Sequence, residues 1–252
     1  MQFQTAHGQI AVNVPTKAQL QTRVQAKFKE KQGFALATLN LDHLVKLSDS
    51  APFFNAYDAQ DLVVADGNPI VWLSRTAGHP VELMPGSELV IPLAEWAAAA
   101  GRGVALLGST EEALAAAALV LERKVPGLKV VAQIAPPFGF DPDGSDAADM
   151  LQAVQASGAG LCFLALGAPK QETLAARGRE FAPNVGFASI GAGLDFLAGT
   201  QARAPKWAQM MAMEWLWRLL SNPKRMWRRY MSCFAILPGH WRNARRMRQI
   251  DQ

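Results

Sequence analysis

A single acidic residue, Asp66, stands where general-base chemistry could take place. It follows an apolar segment that ends at Ala65, and it precedes Gly67, whose missing side chain leaves room for a ligand. A carboxylate in this position can accept the proton of a hydroxyl group if the geometry allows it. An Asp-Gly pair is also a common turn, so the spacing alone leaves both interpretations open.

Other polar residues interrupt the apolar runs in a similar way. Thr38 and Asn40 are two positions apart in an extended segment, so their side chains point to the same side and could meet one ligand. Asn40 could equally be the N-cap of a helix that starts near Leu41. Gln171 and Glu172 could bind the hydroxyl groups of a sugar or a base, or they could simply be the polar first turn of a helix.

Asp195 completes this group of polar positions, either as a helix N-cap or as a ligand contact. Glycines beside these residues allow a ligand to approach the backbone, and helix N-termini offer N–H groups to phosphates. The predicted substrate-binding positions are Thr38, Asn40, Gly67, Gly108, Gly167, Lys170, Gln171, Glu172, Gly191, Gly193 and Asp195.

Several other chemistries are disfavoured. The sequence has no Walker-type phosphate-binding loop, and Phe196 stands where a dinucleotide fingerprint would need its third glycine. Asp141 and Asp143 have the spacing of a metal-binding pair, but their context reads better as a turn. Cys162 and Cys233 are too few for a disulfide scaffold or a four-ligand zinc site. We therefore expect no metal and no cofactor.

Alternating elements must position these residues. Six short apolar runs lack a polar face, which is typical of strands covered on both sides. They are Phe34–Thr38, Asp61–Ala65, Val104–Leu107, Lys129–Ile134, Leu161–Leu166 and Val185–Ile190. Helical patterns cover residues 16–32, 41–49, 69–76, 87–100, 110–124, 145–157 and 170–181. This alternation predicts an α/β, Rossmann-like fold with a mainly parallel sheet flanked by helices. In such a sheet the polar residues meet along the edge where the strands end, which is where ligands bind.

The last fifth of the chain has a different composition. Residues 201–252 contain 11 Lys/Arg against 2 Asp/Glu and five of the seven tryptophans, whereas residues 1–200 contain 14 Lys/Arg against 19 Asp/Glu. We therefore divide the chain into an α/β catalytic core, residues 1–200, and a basic helical appendage, residues 201–252. One amphipathic helix is predicted over residues 204–221, and a second from Pro223 to a break at Pro238. Such helices are typical of a membrane interface, but they could also dock on the core or on a neighbouring subunit.

Neither a signal peptide nor a membrane-spanning helix is expected, so a reducing cytoplasmic setting fits best. A nucleic-acid partner is disfavoured because the apolar stripe of the appendage is too continuous for base stacking.

The order of these motifs resembles the WecG/TagA/CpsF glycosyltransferases, from about residue 30 to residue 230. The matching segments are Thr38 to His43, Ala65-Asp66-Gly67, Leu107-Gly108-Ser109, Leu166 to Glu172, Gly191 to Gly199, Arg203-Ala204-Pro205, Glu214 to Leu219 and Pro223-Lys224-Arg225. The combination is specific, although each motif is weak alone.

The resemblance implies an inverting, metal-independent enzyme. It would move a sugar from a UDP-sugar onto a polyprenyl-diphosphate-linked saccharide on the inner face of the cell membrane. By the same resemblance Asp66 would be the general base, Thr38, Asn40 and Gln171 would line the sugar and acceptor pocket, and the glycine-rich strand ends would face the nucleotide. The arginines expected to contact the lipid diphosphate or the membrane are Arg203, Arg218, Arg225, Arg228 and Arg229.

One position departs from the family pattern. Leu83 stands where members often carry an arginine, so the resemblance does not fix the donor sugar, and the acceptor and the polymer also stay open. A homo-oligomer is possible, because the Met- and Trp-rich helical face could be buried between subunits. The alternative function is a non-catalytic or other nucleotide-binding α/β protein attached to the membrane by its tail.

Overall fold

A six-stranded parallel sheet forms the centre of the protein. The structure, a computed structural model, describes residues 1–201, 214–221 and 223–250. The strands of the sheet are β3 (Phe34–Leu39), β4 (Leu62–Ala65), β5 (Gly103–Gly108), β6 (Val130–Ile134), β7 (Ala159–Ala165) and β8 (Gly186–Ser189). Their spatial order is β4-β3-β8-β7-β5-β6, and every neighbouring pair is parallel. The predicted α/β Rossmann-like class and all six predicted strands are confirmed.

Helices cover both faces of this sheet. One face carries α1 (Lys17–Glu30), α5 (Gly86–Ala99), α6 (Glu111–Lys124) and α9 (Gly193–Ala198). The other carries α2 (Leu41–Asp49), α3 (Ala51–Asp58), α4 (Asn68–Thr76), α7 (Ser145–Ala156) and α8 (Lys170–Phe181). Strands β3 and β8 are neighbours, but the helices after them lie on opposite faces. Chain segments that diverge in this way open a crevice at the strand ends, where open α/β sheets bind their ligands.

Local sequence explains where the helices begin. Asn40 accepts a hydrogen bond from the backbone N–H of His43, and Thr110 accepts one from that of Ala113, so both are N-caps. The predicted capping role of Asn40 is therefore confirmed. Three elements were not predicted: helix α3, helix α9 and an N-terminal hairpin of strands β1 (Gln2–Gln4) and β2 (Gln9–Ala11).

The appendage contains helices α10 (Glu214–Ser221) and α11 (Pro223–Ile250). The predicted break at Pro238 is wrong, because α11 continues through this residue to Ile250. A proline inside a helix costs about 3 kcal/mol, but burial on both sides of it opposes this cost: Cys233 and Ala244 are buried, and α11 packs along α2 and α4. Of the helix predicted over residues 204–221, the part before 214 lies outside the described residues.

Candidate active site

The end of β4 places Asp66 at the carboxyl edge, which we define as the edge of the sheet where the parallel strands end. The Asp66 backbone N–H donates a 2.7 Å hydrogen bond to the carbonyl of Leu39 at the end of β3, so the two strand ends are tied together. Gly67 follows with φ +95°, a conformation that side chains rarely adopt. A Cβ atom at Gly67 would lie 3.9 Å from Cβ of Asn40. Asp66 is partly exposed and stands beside Asn40 at this edge.

Below Asn40 lies a buried polar pair, His43 and Tyr57. The carboxamide nitrogen of Asn40 is 3.5 Å from Nε2 of His43, and Nδ1 of His43 is 3.5 Å from the hydroxyl oxygen of Tyr57. Burial lowers the pKa of His43 to about 4, so the ring is neutral at pH 7. Burial also raises the pKa of Tyr57, as do the carboxyl groups of Glu172 and Asp66. Electrostatics therefore couples both carboxyl groups to Tyr57.

Thr38 is buried at the end of β3. It lies below the partly exposed Asn40, so of the two it is Asn40 that stands closer to solvent. Their predicted contact with a sugar stays a prediction.

Gln171 and Glu172 sit in the first turn of α8, and both side chains are buried. Nε2 of Gln171 donates to Oε1 of Glu172 at 2.8 Å, and Oε1 of Gln171 accepts from the backbone N–H of Gly191 at 3.1 Å. Burial raises the pKa of Glu172 to about 7, although the hydrogen bond from Gln171 acts in the opposite direction. The structure thus gives both side chains partners within the protein.

Two further strand ends meet on the other side of the crevice. The hydroxyl of Ser109, after β5, donates to Oδ1 of Asp195. The interpretation of Asp195 as an N-cap is wrong, since the N-cap of α9 is Ala192. A Cβ atom at Gly108 would lie 2.4 Å from the carbonyl oxygen of Ala165, so only glycine lets β5 and β7 approach so closely. Glycine is therefore required here by packing.

The loop between β6 and α7 borders the same edge. Nζ of Lys170 donates to the carbonyl of Phe140 and fastens this loop to the start of α8. Phe138, on the loop, is fully exposed. Sequence reasoning missed it, although an aromatic residue after two prolines was a signal; its ring could stack on a flat ligand. The Oδ1 atom of Asp141 accepts from the backbone N–H of Asp143 at 3.0 Å, which confirms the turn.

The predicted glycine positions differ in their surroundings. Gly167 and Gly191 have positive φ and open space where a Cβ atom would stand, as a close ligand approach would need. Gly193 instead packs against Ile190 and Val90. An open groove of about 490 Å³ lies elsewhere, at the far end of α4 against the last turns of α11, and it holds none of the predicted residues.

Comparison with known proteins identifies the family of the chain. The model of the glycosyl transferase WecG/TagA/CpsF family matches residues 6–250, nearly the whole chain. The chain belongs to this family. A curated relative from Bacillus spizizenii, named N-acetylglucosaminyldiphosphoundecaprenol N-acetyl-beta-D-mannosaminyltransferase, is 26% identical over 204 residues, which cover 81% of this chain and 77% of the relative. The protein is therefore an enzyme, a glycosyltransferase.

Helix α11 of this WecG/TagA/CpsF glycosyltransferase contacts the core near the carboxyl edge. Arg229 of α11 pairs with Asp42 in the first turn of α2, at 3.0 Å, and Asp42 also pairs with Lys46 at 3.0 Å. Arg228 is exposed. The side chains of Arg218 and Arg225 are not described, and Arg203 lies outside the described residues. Of the predicted phosphate-binding arginines, Arg229 is thus held by a carboxylate of the core.

Among the side chains that the structure describes on α10 and α11, six large apolar ones are exposed. We call them the aromatic patch: Trp215, Trp217, Leu220, Trp227, Met231 and Phe234. Trp215 stacks edge-on against Tyr230 and Phe234, which joins the two helices. None of the described helices is both long and apolar enough to cross a bilayer.

Leu83, where members of this WecG/TagA/CpsF family often carry an arginine, lies next to the end of β4. It forms an isolated parallel bridge with Ala65 and is 41% exposed. The departure from the family pattern therefore falls beside Asp66, so it changes the immediate surroundings of the candidate base.

Proposed function

We propose that this glycosyltransferase moves a sugar from a UDP-sugar onto a saccharide linked to polyprenyl diphosphate, in the synthesis of a bacterial cell-surface polysaccharide. The relative's name describes transfer of an N-acetylmannosamine unit to N-acetylglucosaminyl-diphosphoundecaprenol, which supports this class of acceptor. A nucleotide sugar is the matching donor. Family membership also removes the alternative of a non-catalytic binding protein.

The observation that carries the mechanism is the position of Asp66. It is a partly exposed carboxyl group at the carboxyl edge, held by the bond to Leu39 and followed by a glycine without a side chain. In the proposed step the acceptor hydroxyl attacks the anomeric carbon, its proton passes to Asp66, and the bond from that carbon to UDP breaks on the opposite face. The configuration at the anomeric carbon is therefore inverted.

The leaving UDP needs positive charge or hydrogen-bond donors. We propose that backbone N–H groups at the strand ends and arginines of the appendage supply them without a metal ion. The open glycines Gly167 and Gly191 allow a diphosphate to approach the backbone, and Phe138 offers a surface on which a base can stack.

A donor screen tests the proposal. The protein is incubated with a panel of UDP-sugars and a short-chain polyprenyl-diphosphate-N-acetylglucosamine, with and without EDTA, and product mass is read by mass spectrometry. One UDP-sugar should give a product that carries one added sugar, at the same rate with the chelator. Absence of product with every donor would contradict the proposed substrate class, and loss of turnover with EDTA would contradict the metal-free step.

Asp66→Asn tests the role of the carboxylate. The variant should fold and bind UDP like the wild type, because the amide keeps the size and the backbone bond of Asp66. Its kcat should fall by about 10²–10⁴-fold, the usual contribution of a general base. Turnover within threefold of wild type would remove Asp66 from the mechanism.

We also propose that the aromatic patch contacts the membrane surface that carries the acceptor, on the cytoplasmic face. Exposed Trp and Met beside arginines are typical of helices that lie in a lipid interface. The double variant Trp227→Glu and Met231→Glu should lose binding to vesicles of anionic phospholipid. Leu119→Glu is the control, since Leu119, on α6 and outside the aromatic patch, is more exposed than either residue. If the double variant bound vesicles as well as Leu119→Glu does, this contact would be refuted.

A further inference from the structure

Glu172 is a carboxyl group that the proposed mechanism does not use. Its side chain is completely buried in the first turn of α8. Oε1 accepts a hydrogen bond from Gln171, while Oε2 has no hydrogen-bond partner within the described part of the chain. Burying a carboxyl group with half of its hydrogen-bonding capacity unused is unfavourable. An apolar side chain would fill this place at lower cost, so the carboxyl group itself needs an explanation.

Its one side-chain partner leads directly to the carboxyl edge. The carboxamide of Gln171 has two ends: Nε2 donates to Glu172, and Oε1 accepts from the backbone N–H of Gly191. If the carboxamide turned over, its oxygen would face the carboxyl group and its NH₂ would face the N–H of Gly191. Both hydrogen bonds would then be lost, so the acceptor at Glu172 selects the orientation that Gly191 needs.

Gly191 lies in the short loop between β8 and α9. Its φ is +58°, and no atom lies within 4 Å of the place where a Cβ atom would stand. The hydrogen bond that the Gly191 N–H donates to Gln171 is therefore a specific restraint on a glycine that has little packing around it. The same helix, α8, is fixed from the other side, since Gln60, in the loop after α3, donates to the carbonyl of Glu172 at 3.0 Å.

We propose that Glu172 is a positioning residue: it fixes the carboxamide of Gln171 and, through it, the Gly191 loop that receives the donor diphosphate. This proposal rests on the proposed function only in that it places the donor at the Gly191 loop. Glu172 itself touches no substrate, because it is buried beneath Gln171.

The ionisation of Glu172 adjusts this restraint. The titratable and charged groups facing the cluster are Tyr57 from α3, His43 and Lys46 from α2, and Asp66 from the turn after β4. The carboxylates of α7, Asp146 and Asp149, are exposed to solvent. Burial raises the pKa of Glu172 to about 7, and Lys46 opposes this rise. A carboxylate accepts a hydrogen bond more strongly than a carboxylic acid does, so the loop is held most firmly above pH 7.

Two measurements on the full-length protein test the proposal. The first is the ¹H–¹⁵N resonance of the Gly191 amide between pH 5.5 and 8.5, which requires no turnover. The second is kcat/KM for the donor over the same range. Both are made on wild type, Glu172→Gln, Glu172→Ala and the control Glu180→Gln, which changes an exposed carboxylate on the same helix.

We expect the Gly191 resonance of wild type and of Glu180→Gln to titrate near pH 7 and that of Glu172→Gln to stay constant. Charge-assisted hydrogen bonds are about twice as strong as neutral ones, so kcat/KM of wild type should fall by about fivefold from pH 8 to pH 6. Glu172→Gln should remain at the lower value throughout. Glu172→Ala, which offers Gln171 no acceptor, should lose about 100-fold, as expected for a displaced binding loop.

A Gly191 resonance that titrates equally in wild type and in Glu172→Gln would overturn the proposal. So would wild-type kcat/KM values for Glu172→Ala. If Glu172→Ala does not fold, the comparison of Glu172→Gln with wild type decides alone. Failure of every UDP-sugar to react would contradict the proposed function but would leave the resonance of Gly191 as an independent measurement of the restraint.

Discussion

Two buried groups near the carboxyl edge should give the stability of the protein opposite dependences on pH. Burial lowers the pKa of His43 to about 4 from an ordinary 6.5, and burial raises the pKa of Glu172 to about 7 from an ordinary 4.5. His43 therefore contributes stability that is fully present above pH 6.5 and is lost as the pH falls towards 4. Glu172 contributes stability that is fully present below pH 4.5 and is lost as the pH rises through 7.

The two contributions are similar in size. A pKa difference of about 2.5 between folded and unfolded chain corresponds to about 3 kcal/mol for each group. Between pH 4.5 and 6.5 the two slopes nearly cancel in the wild type. When one group is removed, the pH dependence of the other should become measurable. The free energy of unfolding of Glu172→Gln should increase as the pH rises through this range, and that of His43→Gln should decrease.

Urea denaturation followed by circular dichroism, at half-unit steps from pH 4.5 to pH 7, measures these free energies of unfolding. Each variant is compared with the wild type at the same pH, so that the contribution of the other carboxylates to the free energy of unfolding cancels. The reasoning is refuted if the difference between His43→Gln and the wild type stays constant over the range, because His43 would then titrate equally in the folded and unfolded chains.

Two further predictions concern the surroundings of the site. The ion pair between Asp42 and Arg229 is partly buried, so a double-mutant cycle with Asp42→Asn and Arg229→Met should give a coupling of about 1–2 kcal/mol. Urea denaturation at low salt and at 1 M salt measures this coupling. A coupling below about 0.3 kcal/mol at low salt would show that the pair does not hold α11 on the core. Gly67→Ala places a side chain on a residue with φ +95°, which should lower the free energy of unfolding by about 1–2 kcal/mol. The substitution should also displace Asp66 and so lower kcat. Unchanged thermal stability and kcat would show that the turn tolerates the substitution.

The sheet could be predicted because its strands are continuous apolar runs. Strand β7, Ala159–Ala165, is buried throughout, and such runs between helical patterns predict a covered parallel sheet. Helix α3 was missed because it follows α2 after a single residue, Ser50, which ends one helix and caps the next. The continuation of α11 through Pro238 depends on packing against the core, which local sequence does not show.

The position of Asp66 at the carboxyl edge was also predictable, because parallel strands all end on one side of their sheet. The connections between distant parts of the site were not. The chain from Gln171 to Gly191 and the pair of Asp42 with Arg229 join residues that are 20 and 187 positions apart. Spacing within an element contains no information about such contacts, so the sequence alone predicted neither the bond of Gln171 to Gly191 nor the pair of Arg229 with Asp42.

Helix α11 is a single rod of 28 residues, about 42 Å long, and it joins opposite ends of the molecule. Arg229, near its start, contacts α2 beside the carboxyl edge, and Arg248, near its end, passes Gly78 beyond the far end of α4. Ala244 is completely buried in that distal part, so its methyl group sets how closely the rod approaches the core. Because the helix is continuous, we expect a bulkier residue at Ala244 to move α11 away from the core and to displace Arg229, about four helical turns away, relative to Asp66.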